Sequence, residues 1–255
     1  MLERDENNIL HVVALSGGHD STAMSLLLKE REARPYNYVC TPTGDELPEM
    51  FQFWNWLGSD NVLGKRIIPI MEMTLDACIE KNKMLPNFRT RFCTRQIKIE
   101  PYRRFLLKQS ALGPVVSYVG LRADEEGRAG GAYSDIDGVT MRFPLREWGM
   151  GEDEVQATLA DRGVKCPNRT DCAKCYHQRI GEWWELWRGH PEIYADAEAL
   201  EAKYGATFRT PGRDSWPSSL REMRLRFEAG DKPTISLNRM ERERMNAGGC
   251  RVCSL

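Results

Sequence analysis

Short apolar runs alternate with stretches of helical periodicity along the first part of the chain. A continuous apolar run is typical of a strand buried on both faces of a parallel sheet, whereas an apolar spacing of three or four residues is typical of an amphipathic helix. The pattern predicts five strands, at residues 9–15, 36–41, 66–70, 114–121 and 141–145. It predicts helices at residues 22–32, 48–57, 75–83, 99–108 and 152–162. This alternation indicates an α/β fold with a five-stranded, mainly parallel sheet and helices on both faces.

The alternation ends after Asp124. Residues 125–139 are rich in glycine and charged side chains, and they predict a mobile loop beside the functional site. A polar, cysteine-bearing loop at residues 166–175 follows, and two more helices are predicted, at residues 181–188 and 193–204. We therefore expect a sheet-containing domain in residues 1–150 and a cysteine-bearing, mostly helical region in residues 151–255.

A glycine-bearing segment joins the first predicted strand to the first predicted helix. It occupies residues 16–22 and has the sequence Ser-Gly-Gly-His-Asp-Ser-Thr. Gly17 and Gly18 allow a sharp turn that brings backbone N–H groups close to an anion, and the following helix presents its positive N-terminal end. Asp20 is a hard oxygen ligand that suits Mg²⁺. The simplest alternative is a strand-to-helix turn capped by Asp or Ser. No Gly-Lys-Ser/Thr follows, so the segment is not a Walker A loop.

The order Ser-Gly-Gly-x-Asp-Ser after a buried strand resembles the PP-loop of the ATP pyrophosphatases. These are Rossmann-like enzymes (adenine nucleotide alpha hydrolase-like) that split ATP into AMP and pyrophosphate, usually by adenylating a substrate. The resemblance implies ATP and Mg²⁺ as cofactors, with Mg²⁺ on Asp20, and makes residues 1–150 the nucleotide-binding domain. It implies nucleotide contacts at Ser16, Gly17, Gly18, His19, Asp20, Ser21, Thr22, Arg122 and Arg128. His19 departs from the many members that carry lysine, and its charge is conditional near neutral pH.

Later segments resemble the phosphoadenosine-phosphosulfate reductase-like branch of the same superfamily and keep its order. They lie at residues 43–49, 91–101, 120–128 and 144–155, so that the resemblance runs over roughly residues 9–180. Arg122 follows a predicted strand, at the edge where α/β sheets bind ligands, and its guanidinium can hold phosphate. A surface salt bridge with Asp124 or Glu125 is the alternative. The resemblance implies catalytic roles for Asp20, Arg122 and Lys98.

Two features separate an ATP-cleaving enzyme from a sulfonucleotide reductase within that branch. The reductases carry a degenerate loop and a Glu-Cys-Gly-x-His tail with a nucleophilic cysteine, whereas this chain keeps the loop intact and lacks that tail. We therefore favour ATP cleavage with adenylation of a substrate, linked to sulfur transfer as in the PP-loop proteins of DNA phosphorothioation. One alternative is a thiol-dependent phosphoadenosine or adenosine phosphosulfate reductase. The other is a non-catalytic module that binds a nucleotide or a nucleic acid.

The eight cysteines fall into two groups. Cys40 and Cys78 have apolar neighbours and are expected in the core, whereas the others lie among polar and basic residues, which suggests metal, cluster or redox chemistry. Resemblance to cluster-bearing relatives implies a [4Fe–4S] cluster on Cys93, Cys172 and Cys175. Those relatives carry adjacent cysteines at the first position, whereas here Phe92 precedes Cys93, so we infer Cys166 as the fourth ligand. Zinc is an alternative, held by Cys166, Cys172, Cys175 and His177, or by Cys172, Cys175, Cys250 and Cys253. The remaining alternative is redox thiols, and Cys250 and Cys253 could form a mobile pair that delivers sulfur or electrons.

The expected partners are a nucleotide substrate and a sulfur donor or thiol reductant protein, with tRNA, DNA or a small metabolite open as the acceptor. The net charge of −1 gives no overall field that favours a polyanion or a membrane. Trp183 and Trp187 share a helix face and are expected to pack in a core, with base stacking as the alternative. A modest basic excess in residues 209–251 is typical of a solvated face, with nucleic-acid contact as the alternative. The N-terminus does not resemble a signal peptide and no apolar run reaches the roughly 18 residues of a membrane span, so a cytoplasmic location is expected.

Overall fold

A computed structural model describes residues 2–125, 127, 128 and 133–246, with side chains up to Glu241. Its centre is one five-stranded sheet in the order β3-β2-β1-β4-β5, and every neighbouring pair of strands is parallel. The predicted α/β, Rossmann-like class is therefore confirmed. The strands are β1 (Leu10–Ala14), β2 (Asn37–Cys40), β3 (Ile68–Pro69), β4 (Val115–Tyr118) and β5 (Val139–Arg142).

Helices follow the strands and then continue without further strands in the described residues of the C-terminal part. They are α1 (His19–Arg31), α2 (Pro48–Leu57), α3 (Leu75–Asn82), α4 (Glu100–Ser110), α5 (Pro144–Glu147), α6 (Glu152–Asp161), α7 (Ile180–Gly189), α8 (Pro191–Tyr204), α9 (Leu220–Glu228) and α10 (Thr234–Asn246). A π-helical segment, Thr94–Ile99, leads directly into α4. The sequence pattern predicted neither α9 nor α10, nor this segment.

Two predicted strands are shorter in the structure because each contains or precedes a proline. Proline has no N–H to donate to a sheet ladder, so it is confined to strand ends and edges. β3 is an edge strand that ends at Pro69, and β5 ends at Arg142, two residues before Pro144 opens α5. The predicted strand at residues 141–145 is thus half strand and half helix.

Alternate side chains of β1 point to opposite faces of the sheet, as a strand requires. Val13 packs with α1, α2 and α6 on one face, whereas Leu10 and Val12 pack with Tyr102 and Leu106 of α4 on the other. The sheet is therefore covered on both faces. β1 lies between β2 and β4, where the connections change direction, and ligands of such sheets bind beyond the carboxyl ends of the strands at that point.

The C-terminal helices form a second core with α3. Trp183 of α7 is fully buried there against Tyr194 and Phe208, which confirms its predicted packing role. Cys40 and Cys78 are also buried, as expected. The domain boundary at residue 150 stays a prediction, and α6 beyond it packs against α1 in the core of the sheet.

Part of the predicted loop at residues 125–139 lies outside the described residues, and so do Cys250 and Cys253. In the described residues of this loop, Tyr133 packs against Tyr102 of α4, with ring centroids 5.3 Å apart, and Ile136 is buried. No helix in the described parts of the chain has the length and apolar character needed to cross a membrane.

Candidate nucleotide site and cysteine pocket

Gly17 is the point at which the chain turns from β1 toward α1. Its φ angle of +88° lies in the left-handed region that favours glycine. A Cβ atom at this position would lie 2.7 Å from Nε1 of Trp54 and 2.8 Å from Cε of Met50. Trp54 also donates a hydrogen bond from Nε1 to the carbonyl oxygen of Ser16, at 3.2 Å. α2 therefore holds the loop closely, and no side chain fits between them.

Two serine hydroxyl groups lie inside the loop and bind its backbone. The Oγ atoms of Ser16 and Ser21 are 3.0 Å apart. Gly17 donates its N–H to Ser21 Oγ at 3.2 Å, and Gly18 donates its N–H to Ser16 Oγ at 3.3 Å. Helix α1 begins at His19 without a side-chain cap, and Thr22 is buried in its first turn. The loop thus gathers hydroxyl groups and N–H donors at the positive end of a helix, which suits an anion.

Asp20 and Arg122 meet beside the loop, although 102 residues separate them in the sequence. Nη1 of Arg122 lies 3.3 Å from both carboxylate oxygens of Asp20, and its Nε lies 2.9 Å from Asp124. The surface salt bridge considered for Arg122 is present, but so is the contact with the loop. Burial raises the pKa of Asp20 to about 6, although the guanidinium lowers it. An acid with this pKa is close to half protonated at mildly acidic pH.

Gly120 brings the end of β4 close to the loop. A Cβ atom on Gly120 would lie 3.1 Å from the backbone of Asp20 and Ser21. Arg146 then binds the segment after Gly120, donating hydrogen bonds to the carbonyl oxygens of Arg122, Glu125 and Arg128. The sequence analysis gave neither Gly120 nor Arg146 a role, and their place in segments that resemble the superfamily was the only signal for them. Arg128 itself pairs with Glu125.

A pocket beyond β2 brings together three of the four cysteines predicted to hold a cluster. Its volume is about 20 Å³, and Cys93, Cys172 and Cys175 line it. Cys93 precedes the π-helical segment, whereas the other two belong to the loop before α7. Lys98, predicted to be catalytic, lines this pocket and not the glycine loop.

Cys166 does not line this pocket, and the structure places it against the core around β1. Burial raises the pKa of its thiol to about 11, and smaller effects come from Thr22 and Asp20, so the side chain lies beside the glycine loop. The predicted four-cysteine set is thus divided between two places. In the described part of the chain, no group of three or more His, Cys, Asp or Glu side chains is arranged to hold a metal ion.

The three cysteines of the pocket are poor nucleophiles as they stand. Burial raises the pKa of Cys172 to about 12 and raises the pKa of Cys93 and Cys175 above the ordinary value of a thiol. The positive charge of Lys98 acts against this and lowers the pKa of Cys93 and Cys172. Thiols of this kind are protonated at neutral pH, and they react or bind metal only after losing the proton.

Asp45 fixes the loop that carries Cys172 and Cys175 to the end of β2. Its carbonyl oxygen accepts the N–H of Ala173 at 2.6 Å, and its carboxylate accepts the N–H of Lys174 at 2.8 Å. Nζ of Lys174 lies 2.9 Å from the carboxylates of Asp45 and Asp76. Burial raises the pKa of Asp45 to about 6, although Lys174 lowers it. The sequence analysis missed this anchor, for which a lysine between two cysteines was the only signal.

Residues 10–168 match the family model of the phosphoadenosine phosphosulfate reductase domain. The chain belongs to this family. The matched part includes the glycine loop, Arg122, Cys93 and Cys166, and it ends before Cys172. No curated protein matches the chain.

Two solved structures resemble this member of the family at low sequence identity. One is the phosphoadenylyl-sulfate reductase of Candida auris in a phosphate complex, with 14% identity and a TM-score of 0.46, covering 61% of this chain and 74% of that chain. The other is the U34-tRNA thiolase NcsA of Methanococcus maripaludis with its [4Fe-4S] cluster, with 17% identity and a TM-score of 0.39, covering 86% of this chain and 79% of that chain.

Proposed function

We propose that this chain is a PP-loop ATP pyrophosphatase that adenylates a substrate in support of sulfur transfer. The observation that carries the proposal is the intact loop at residues 16–22 with Asp20 next to Arg122. In the reaction, a nucleophilic oxygen of the acceptor attacks the α-phosphorus of ATP. The bond from that phosphorus to the bridging oxygen breaks, and pyrophosphate leaves. AMP on the acceptor is then a good leaving group for an incoming sulfur nucleophile.

Several residues of the loop bind pyrophosphate together. The N–H groups of Gly17 and Gly18 and the hydroxyl groups of Ser16 and Ser21 exchange their mutual hydrogen bonds for bonds to phosphate oxygens. Asp20 is the residue that would hold Mg²⁺, and bound Mg²⁺ supplies neutralisation of the pyrophosphate charge. Arg122, whose Nη1 contacts Asp20, would hold the phosphate whose charge increases in the transition state.

The cysteine pocket has the donor chemistry of an iron–sulfur site. Fe–S clusters are held by cysteine thiolates, and a cluster is larger than one ion, so its ligands surround a pocket and do not converge on a point. Cys93, Cys172 and Cys175 would hold the cluster, and their bound form is the thiolate, so loading releases protons. A bound cluster supplies iron that can carry sulfur. Cys166 is excluded from this set because it lies beside the glycine loop.

The test joins two measurements on anaerobically purified full-length protein. ATP labelled at the α-phosphate should yield AMP and no ADP, and pyrophosphate should appear in equal amount. Iron and sulfide should be present at about four per chain and should be lost in Cys172→Ser but kept in Cys166→Ser. Formation of ADP would exclude the pyrophosphatase assignment. Stoichiometric zinc without iron, or equal iron in the two variants, would exclude the cluster assignment.

Sulfonucleotide reduction is the second candidate, and the family match favours it. It needs an accessible thiolate, whereas the described cysteines are buried or half-buried, and the thiols of the pocket have raised pKa values. The nucleophile would then be Cys250 or Cys253, which lie outside the described residues. Release of sulfite from phosphoadenosine phosphosulfate with a thiol reductant, abolished in Cys250→Ser or Cys253→Ser, would support this candidate against ours.

A further inference from the structure

An exposed aromatic side chain lies beside residues that line the cysteine pocket. It is Phe88, 46% exposed, in a turn that we call the rim turn, residues 87–90. The side-chain oxygen of Asn87 accepts the N–H groups of Arg89 and Thr90 at 2.9 and 3.0 Å. The turn is therefore held in one shape, and Phe88 and Arg89 are displayed to solvent.

The rim turn is continuous with the wall of the pocket. Pro86, two residues before Phe88, lines the pocket, and so does Tyr176. The ring centroid of Phe88 lies 5.2 Å from that of Tyr176 and 4.7 Å from that of His177. A planar group placed on Phe88 would therefore lie next to residues that line the pocket of the three cysteines.

The charge around the rim turn is positive, although the chain as a whole carries −1. Residues 81–99 contain six lysine or arginine residues and no aspartate or glutamate, although Lys83 pairs with Glu80 and Arg95 with Glu100 just outside this range. The guanidinium carbon of Arg213 lies 5.9 Å from the ring centroid of Phe88. Within the described residues, the side chain of Arg89 makes neither a hydrogen bond nor an ion pair. A local excess of this kind, next to an exposed ring, fits a polyanion that carries planar groups.

We propose that the rim turn binds an unpaired base of a single-stranded nucleic acid, with the base on Phe88 and the neighbouring phosphates on Arg89 and Arg213. Base–aromatic stacking together with cations along the strand is how proteins bind single strands. This inference rests on the proposed function, since it names the chemical class of the acceptor. A docking protein fits less well, because a protein surface would need acidic groups to match these cations and an apolar patch wider than one ring.

The test is the affinity of the anaerobically purified full chain for fluorescein-labelled single-stranded RNA and DNA oligonucleotides, measured by anisotropy without ATP. Phe88→Leu should weaken binding by roughly 5- to 150-fold, because stacking on one aromatic residue contributes about 1–3 kcal/mol. Phe88→Trp should bind at least as well as the parent. Arg89→Ala should reduce the slope of log K against log salt by about 0.7, the effect of one lost phosphate contact. Comparison of the affinities for RNA and for DNA shows whether the site prefers ribose or deoxyribose.

The matched control is Phe51→Leu, since Phe51 is a similarly exposed aromatic residue, at 44%, on α2 and away from the rim turn. It should leave the affinity unchanged. Equal affinity of Phe88→Leu and the parent, or no binding of either oligonucleotide by the parent, would overturn the proposal and favour a protein partner. Pyrophosphate release and iron content are measured separately on the same samples, so loss of the rim site is distinguished from loss of the proposed function.

Discussion

The glycine loop and the cysteine pocket lie at the same edge of one sheet but are built in different ways. The loop is one continuous segment, and the hydrogen bonds among its own residues join positions no more than five apart, although Trp54 and Arg122 also contact it. The pocket combines side chains from the segment after β2, the start of the π-helical segment and the loop before α7. The loop depends on local geometry, whereas the pocket depends on a buried ion pair that holds distant segments together.

The two sites should therefore tolerate different kinds of substitution. A contiguous site is sensitive to changes of backbone conformation or of the residue that touches the ligand. A site assembled from distant segments is also sensitive to the residues that hold those segments, such as Asp45, even where they do not bind the ligand.

Loss of the carboxylate of Asp20 should remove activity without unfolding the protein. We expect Asp20→Asn to lower kcat/KM for ATP cleavage by about 1,000-fold, which corresponds to about 4 kcal/mol, because Mg²⁺ loses its carboxylate ligand. Asp124→Asn, which also removes a partner of Arg122, should cost less than about tenfold because Asp124 is more exposed. Steady-state kinetics with a pyrophosphate assay checks both. Equal losses in the two variants would show that Asp20 acts only through Arg122.

Loss of the buried charge of Asp45 should weaken the fold and the cysteine pocket together. Asp45→Asn leaves Lys174 buried beside one remaining carboxylate, and we expect a loss of about 3 kcal/mol in the free energy of unfolding, with reduced iron content. Asp76→Asn removes the other partner of Lys174, but Asp76 is 61% exposed, so the loss should stay below about 1 kcal/mol. Urea denaturation and iron analysis measure these effects. Equal stability of the two variants would contradict the role of Asp45 in holding the cysteine-bearing loop.

A methyl group at Gly17 should damage the loop more than the same change at another left-handed glycine. Gly163 has a φ of +62° and no atom within 4 Å of an added Cβ, so Gly163→Ala measures the cost of the backbone alone, about 1–2 kcal/mol. Gly17→Ala adds overlap with Trp54 and should cost about 1–3 kcal/mol more. Affinity for ATP should fall only in the Gly17 variant. Similar behaviour of both variants would mean that α2 does not constrain the loop.

The pH dependence of stability should reveal the buried carboxyl group of Asp20. Its pKa in the folded protein, about 6, is above the ordinary value of 3.8, so the fold favours the protonated form. Its stabilising contribution is full below about pH 4 and is lost as the pH rises through about 6. Without ligands, the stability of Asp20→Asn relative to the parent should therefore rise by about 2 kcal/mol from pH 4 to pH 7. A constant difference across that range would contradict the raised pKa.

The sheet, the first strand–loop–helix unit and most helices were predictable from the local pattern of the sequence. α2 has the predicted bounds, 48–57, and α1 follows β1 through the glycine loop as predicted. These features depend on apolar spacing, proline and glycine, which act between neighbours in the chain. Burial of Cys40, Cys78 and Trp183 was predictable for the same reason, because each lies among apolar residues or on an apolar helix face.

Which polar side chains contact one another depends on the tertiary packing and was not predictable from local patterns. Cys166 lies apart from Cys93, Cys172 and Cys175. Lys98 lines the cysteine pocket, and Arg122 contacts Asp20. The tertiary packing also produced the anchor between Asp45 and Lys174. Such contacts depend on how helices pack over the sheet and on where buried charges find partners. These are properties of residues tens of positions apart, and no pattern among neighbouring residues encodes them.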